Sequence, residues 1–222
     1  VLNPTPTIVP LAVSDEWIKS LAGVSMSFMK ITFYVDGVKK FMKKGKILFT
    51  HFGLSGPLIL NSAKTVADLL HTGIVTATID AFPDTDLGSL EKRIINVFDI
   101  NKNKMLKNVF DQIAPEGTSF AILSLVSVDP DKKVHSVTKE ERKEIVQILK
   151  SLPVNISGLM GFDRAVVADG GVSLDEIDTK TMRSKLYNNL YITGDLLHIN
   201  RPSGGYSLQL CWTTGYVAGE NA

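Results

Sequence analysis

Cysteine is almost absent. Cys211 stands alone among 222 residues, which excludes an intramolecular disulfide and any cysteine-cluster zinc or iron–sulfur site, and no metal is expected. A reducing, cytoplasmic setting is the default for such a chain. Charge of one sign is also scarce, with 24 Lys and Arg against 23 Asp and Glu for a net charge of +1. No global field therefore favours nucleic acid or an anionic membrane, and neither is expected as a partner. Long apolar runs are missing too. The longest, Phe120–Val128, is broken by Ser124 and Ser127, well short of the roughly 18–20 apolar residues that span a bilayer. Val1–Pro10 has neither the charged start nor the apolar stretch of a secretion signal.

What remains is an ordinary globular composition, 44% hydrophobic and 21% charged, enough for one large domain or two modest ones. The mean hydropathy of +0.12 is slightly high for a chain without a membrane segment, and it points to a surface that expects a partner. The first eighty or so residues carry strand patterning. Ser27–Val35 puts Met29, Ile31, Phe33 and Val35 on one face and Lys30 and Thr32 on the other. Asp36-Gly37 follows, a strong hairpin signal because both central positions of that turn need positive φ. Val38–Met42 is the expected return strand, and Lys43-Lys44-Gly45-Lys46 the turn into a third, Ile47–Phe52. The lysines at 39, 40, 43, 44 and 46 read as a solvated turn that protects strand edges rather than as a nucleic-acid site.

Gly56-Pro57 opens an expected helix over Pro57–Leu70, since proline at the first helical position loses only an unpaired donor. Gly73–Ala81 alternates as another strand. After Pro83–Asp86 the period turns helical, with Leu87, Leu90, Ile94 and Phe98, then Met105, Val109 and Ile113. Thr138 and Glu141 form a capping box ahead of Ile145, Ile148, Leu149 and Leu152. A helical unit at 87–152 thus interrupts a β-rich one. Strand character returns at Val154–Gly161 and Arg164–Ala168, Asp169-Gly170-Gly171 reads as a turn, and Leu190–Thr193 as a short buried strand.

That last run ends in Gly194-Asp195. A carboxylate just past a strand's C-terminal end is where nucleotide-binding α/β sheets hold ligand hydroxyls. A few residues on, Pro202-Ser203-Gly204-Gly205-Tyr206 precedes an apolar helix reaching Ala218. Two glycines there leave backbone N–H groups uncovered at the positive end of the helix dipole, a site for an anion or a polarised carbonyl. The pyrimidine edge of a reduced flavin is such a group. Gly215 and Gly219, four apart, let the helix pack closely on a sheet.

Together these runs resemble a known family. Thr181-Met-Arg-Ser-Lys185, Leu190-Tyr-Ile-Thr-Gly-Asp195, Gly204-Gly-Tyr-Ser-Leu-Gln209 and Gly215-Tyr-Val-Ala-Gly219 are similar to the C-terminal signature of the BaiN/YhiN-like flavoproteins, predicted NAD(P)/FAD-dependent oxidoreductases of the aminoacetone-oxidase type. The family's wording is close to TMESK, GLYFxGEvLD, GGYNLQ and GxxAG. Gly45–Pro57 (GKILFTHFGLSGP) resembles its GE[IL]LFTHxG[LV]SGP run, and Ala165–Val172 its AxVTxGGV. The resemblance spans Val9–Gly219. It implies an α+β chain: a β-barrel-like insertion domain (1–86 and 153–162) with a small helical subdomain (87–152), then the C-terminal part of a Rossmann-type FAD-binding domain (163–222).

The resemblance also implies FAD as cofactor, NAD(P)H as co-substrate, and hydride transfer involving a small organic substrate. Gly194 and Asp195 would hold the ribityl or neighbouring hydroxyls. Gly204, Gly205, Tyr206 and Ser207 would set the helix start under the flavin pyrimidine edge, and Gly170, Gly171 and Arg201 would complete the cofactor-binding set. Such proteins open with a G-x-G-x-x-G fingerprint, which none of the 17 glycines here forms. The expectation is therefore a piece of a longer flavoprotein, with Val1 at an internal boundary, flavin-free and inactive alone. Its main partner would be the N-terminal FAD-binding segment of the same protein. Exposed apolar surface around Leu190–Tyr216, or an oligomer that covers it, should follow.

Several positions depart from the family's wording. Asp195 stands for Glu, Arg183 for Glu, Ala168-Asp169 for Thr-x, Ser207 for Asn, and His198-Ile-Asn-Arg-Pro202 for an Asp-rich loop. His198 is the catalytic candidate, placed to face or protonate a substrate. His71 and His135 read as surface residues, and Cys211 as packing in the last helix. Two other functions remain open: a non-enzymatic protein-interaction module, and a Ser/His hydrolase through Ser55 and His51. The latter lacks the G-x-S-x-G elbow.

Overall fold

A computed structural model describes all 222 residues, Val1–Ala222. The chain begins with β1 (Leu2–Thr7), β2 (Leu11–Val13) and α1 (Glu16–Lys19), followed by the long strands β3 (Ser25–Val35) and β4 (Val38–Thr50). Next come β5 (Gly53–Ser55), α2 (Pro57–Leu60), α3 (Ala63–Leu70) and β6 (Val75–Asp80). A helical excursion supplies α4 (Leu87–Ile100), α5 (Ser119–Leu123) and α6 (Lys139–Lys150) before β7 (Leu152–Leu159). The remainder holds β8 (Val167–Gly171), β9 (Ile177–Asp178), β10 (Arg183–Ser184) and α7 (Tyr206–Asn221).

Six strands close a barrel in the order β2-β5-β4-β3-β6-β7, with β7 returning to pair with β2. Alternation in β3 buries Met29, Ile31, Phe33 and Val35 as the pattern requires. Asp36 (φ 48°) and Gly37 (φ 78°) make the tight turn into β4. Helix α4 begins at Asp86, whose carboxylate accepts from the Ser89 N–H, and buries Leu90, Ile94 and Phe98. The capping box of α6 is complete, with Glu141 N–H to the Thr138 hydroxyl at 3.2 Å and Thr138 N–H to the Glu141 carboxylate at 2.7 Å. Barrel and helices share one continuous apolar core running from Leu11 to Ile156, and Asp80 ties them together. Its Oδ2 takes Lys30 of β3 and Lys150 of α6, each at 2.9 Å. No helix is long and apolar enough to cross a membrane.

Five local expectations are corrected. Lys43–Lys46 is not a turn but the middle of β4, where Lys43, Lys44 and Gly45 pair with Ile31, Lys30 and Met29 of β3 before the strand goes on to pair with β5 from Leu48. Gly45 lets helix α2 lie against it, with Leu58 3.1 Å from where a Cβ would sit. Pro57–Leu70 is two helices, because the buried Ser62 hydroxyl donates to Leu58 O and the ladder restarts at Ala63. Met105–Ile113 forms two 3₁₀ turns, since the N–H groups of Leu106 and Lys107 are taken by Lys132 O and Pro130 O. Asp169-Gly170-Gly171 lies in β8, paired with β1 outside the barrel. Leu190–Thr193 is not a buried strand. Tyr191 bridges Arg183 of β10, flanked by Ser184 N–H to Leu190 O at 2.8 Å and Ile192 N–H to Met182 O at 3.0 Å, but the pairing stops at this single bridge and Leu190 is exposed.

Candidate functional site

The C-terminal segment has little core of its own: Ile177, Met182, Leu197 and Ala218 form its buried cluster. Three loops meet there. Gly194 takes φ 61° and donates its N–H to the Thr214 hydroxyl of α7 at 2.9 Å. A Cβ at this glycine would strike the Cys211 sulfur at 2.8 Å, so the cysteine packs the turn. Asp195, next in line, is half exposed and pairs with the buried Arg201. Arg201 also donates through Nε to the Ser207 hydroxyl at 2.8 Å and through Nη1 to Ile199 O. The ion pair thus ties the turn after Gly194 to the first turn of α7.

Gly170 and Gly171, at φ 116° and 97°, bring β8 against two backbones at once. A Cβ on Gly170 would fall 2.6 Å from Asn3 O, and one on Gly171 2.2 Å from Leu196 O. Val172 N–H bonds Leu196 O, and His198 N–H bonds Val172 O, both at 2.8 Å. This holds the 194–198 loop beside the glycine pair. Asp169, just before the pair, is the anchor to the barrel. Its carboxylate takes Lys64 of α3 at 2.5 Å and has the His198 Nδ1 3.5 Å away. Burial pushes this carboxyl up, but the Lys64 hydrogen bond and charge, with the charge of His198 and the Gly170 backbone, outweigh it and hold it below the usual carboxylate range. A second clasp joins Ser203 N–H to the Asn61 side chain at 2.7 Å.

Gly204 (φ 104°) and Gly205 (φ 92°) lead into α7, where no side chain caps the first turn. Space around both glycines is open, and Tyr206 is exposed. Helix α7 buries only Thr214 and Ala218; Leu208, Trp212 and Tyr216 face outward in one line with Gly215 and Gly219. The structure therefore brings Gly170, Gly171, Gly194, Asp195, Arg201 and Ser207 into one connected unit, with Gly204, Gly205 and Tyr206 at its open end. His198 sits on the barrel side of that unit, beside Asp169. His51 and Ser55 share no hydrogen bond, and the His51 ring lies edge-on to Phe52 at 4.9 Å. Lys64 and Asn61 escaped the sequence, because nothing local marks a residue whose partner lies 105 or 142 positions away.

The barrel and its helical excursion decide the family. Residues 5–167 match the family described as HI0933-like protein barrel and H2TH domain. The chain belongs to that family. Among curated proteins it is similar to a 3-dehydro-bile acid delta(4,6)-reductase of Clostridium scindens, 26% identical over the whole of this chain and 54% of the relative. It is also similar to proteins named ribosomal RNA dihydrouridine synthase. That of Haemophilus influenzae is 26% identical over 98% of this chain and 51% of its own length. The Escherichia coli protein is 25% identical over 99% of this chain and 53% of its own. The chain thus spans about half the length of these HI0933-like relatives, which belong to the flavin-dependent oxidoreductases.

The residues present fit a flavin. An uncapped helix start behind two unobstructed glycines offers N–H groups to a pyrimidine carbonyl edge. The free, solvent-facing oxygen of Asp195 offers an acceptor to sugar-alcohol hydroxyls.

Proposed function

We propose that this chain is the barrel, helical and C-terminal portion of a longer FAD-dependent oxidoreductase that reduces a carbon–carbon double bond conjugated to a carbonyl, with NAD(P)H as the electron source. The observation that carries this is the uncapped, glycine-led start of α7 beside Asp195, in a chain whose relatives are named for such reductions. A delta(4,6)-reductase and a dihydrouridine synthase share one chemistry: two hydrogens added across an activated ring double bond. Bound FAD supplies the hydride. The protein binds and orients, and excludes water from the reacting face.

Each residue has a defined task here. Gly204, Gly205 and Tyr206 present backbone donors to the flavin's pyrimidine edge, and Asp195 accepts from ribityl hydroxyls while Arg201 and Ser207 fix its position. Gly170 and Gly171 keep the loop at 194–198 against β8. His198, held by the backbone of Val172 and faced by Asp169, is the group available to deliver the proton that accompanies hydride addition. The outward line of Leu208, Trp212, Gly215, Tyr216 and Gly219 receives the rest of the FAD-binding domain. The same exposed face supports the second reading, a protein-interaction module without catalysis.

The test is acceptor-dependent oxidation of NADH or NADPH by the FAD-loaded longer protein, offered a steroid enone and uridine in separate reactions. Consumption of reduced nicotinamide matched by saturation of the double bond is expected with one of them. Failure with both, in a protein that holds FAD, rejects the activated-alkene reading.

A further inference from the structure

We propose that a cavity between helices α2–α3 of the barrel and the 200–202 loop is a binding site for a phosphate group. The cavity measures about 350 Å³ and is lined by three cations, Lys43, Lys64 and Arg201, and by the polar side chains of Asn61, Thr65 and Asn200, with no carboxylate among its lining residues. The neighbouring cavity, about 390 Å³, shares Lys64 but also presents Asp68 and Asp169. An anion entering the seam therefore meets two lining carboxylates on one side of Lys64 and none on the other.

The charges around the site do not cancel. Asp169 compensates Lys64 and Asp195 compensates Arg201, while Lys43 is held only by a backbone carbonyl, Asn61 O at 3.0 Å. One full positive charge is left over. Donor geometry agrees. Of the five N–H groups of an arginine, Ser207, Ile199 O and Asp195 occupy three, which hold the guanidinium of this buried residue in place and leave one N–H on each terminal nitrogen. Lys43 and Lys64 add mobile ammonium donors, a combination of fixed fork and point charges suited to phosphate oxygens.

Two of the three cations sit in the barrel and one in the tail, so the site exists only while the seam is closed. It does not rest on the flavin reading and would stand if that reading failed. Two sources of phosphate fit the chemistry: the 2′-phosphate of NADPH, or the 5′-phosphate of a nucleotide substrate.

The test is an NMR titration of the 222-residue chain with inorganic phosphate, against sodium chloride at equal ionic strength. Saturable shifts at Asn61, Lys64 and Arg201 are expected, weakened about fivefold by Lys43→Ala and unchanged by Lys40→Ala, which lies on the same strand off the cavity. Lys43 is chosen because it anchors no carboxylate and touches only the backbone oxygen of Asn61, so its loss removes neither the Lys64–Asp169 pair nor the Asn61 side-chain bond to Ser203. NADPH against NADH, and uridine 5′-monophosphate against uridine, then identify the source by which pair differs in affinity. Shifts that match chloride, or saturable binding that Lys43→Ala leaves unchanged, overturn the proposal.

Discussion

Trp212 lies on the outward face of α7 and is 67% exposed, between Leu208 at 57% and Tyr216 at 70%. If the rest of an FAD-binding domain covers this face in the longer protein, replacing Trp212 by alanine should cost very different amounts in the two contexts. In the 222-residue chain the ring already faces water, so the change in stability should be within about 0.5 kcal/mol. In the longer protein the newly covered area is two-thirds of a tryptophan's roughly 250 Å², worth about 4 kcal/mol at about 25 cal/mol per Å². That value falls within the roughly 3–5 kcal/mol seen when a buried tryptophan is truncated to alanine. The assay is urea unfolding of wild type and Trp212→Ala in both lengths, followed by far-UV circular dichroism. A loss below about 1 kcal/mol in the longer protein would refute the covered face. A loss near 4 kcal/mol in the short chain would show that something within it already packs on the ring.

Three other perturbations test the parts that hold the site. Asp80→Ala should cost about 3 kcal/mol, the low end for a broken buried ion pair, because it removes the carboxylate shared by Lys30 and the largely buried Lys150, leaving the latter's charge with only the Phe82 and Thr85 carbonyls; Asp80→Ala with Lys150→Met should recover part of that in urea midpoints. Asp169→Asn should cost about 1–2 kcal/mol at neutral pH, discounted because Lys64 is 43% exposed. The folded carboxyl titrates below its unfolded value, so its contribution is present above about pH 4 and lost as pH falls through the folded value. The gap between wild type and Asp169→Asn should therefore close in acid, and a gap that persists there contradicts the pairing. Gly171→Ala should cost at least about 2 kcal/mol and expose the 194–203 loop to proteolysis, since its Cβ would sit 2.2 Å from Leu196 O at a φ of 97°.

The elements legible in the sequence are those specified within a few residues. Asp36-Gly37 carries its own turn geometry, Thr138 and Glu141 their own cap, and β3 its face by simple alternation. Lys43–Lys46 misleads because a lysine-rich stretch around a glycine has the composition of a turn. Only the pairing with β3 and the approach of Leu58 reveal a continuous strand. Leu190–Thr193 has strand composition, but its pairing with Met182–Ser184 stops at one bridge, too short to make it a buried strand. The glycines and carboxylates of the site were visible as a pattern. Their clasps to the barrel were not, because Lys64–Asp169 and Asn61–Ser203 form only once the chain has closed on itself. Two departures from the family's wording, Asp169 and His198, stand side by side in space. Two more, Asp195 and Arg201, pair directly, so the divergent positions rebuild one loop together.

The central claim is that these residues hold one side of a flavin and leave the other to a preceding segment. Visible absorbance measured on both lengths after incubation with FAD and removal of the excess tests it directly. The longer protein, extended to include a glycine-rich dinucleotide fingerprint, should retain one FAD per chain, and Asp195→Ala should weaken that retention. The 222-residue chain should retain none. Stoichiometric FAD on the short chain, or a colourless longer protein, would contradict the account.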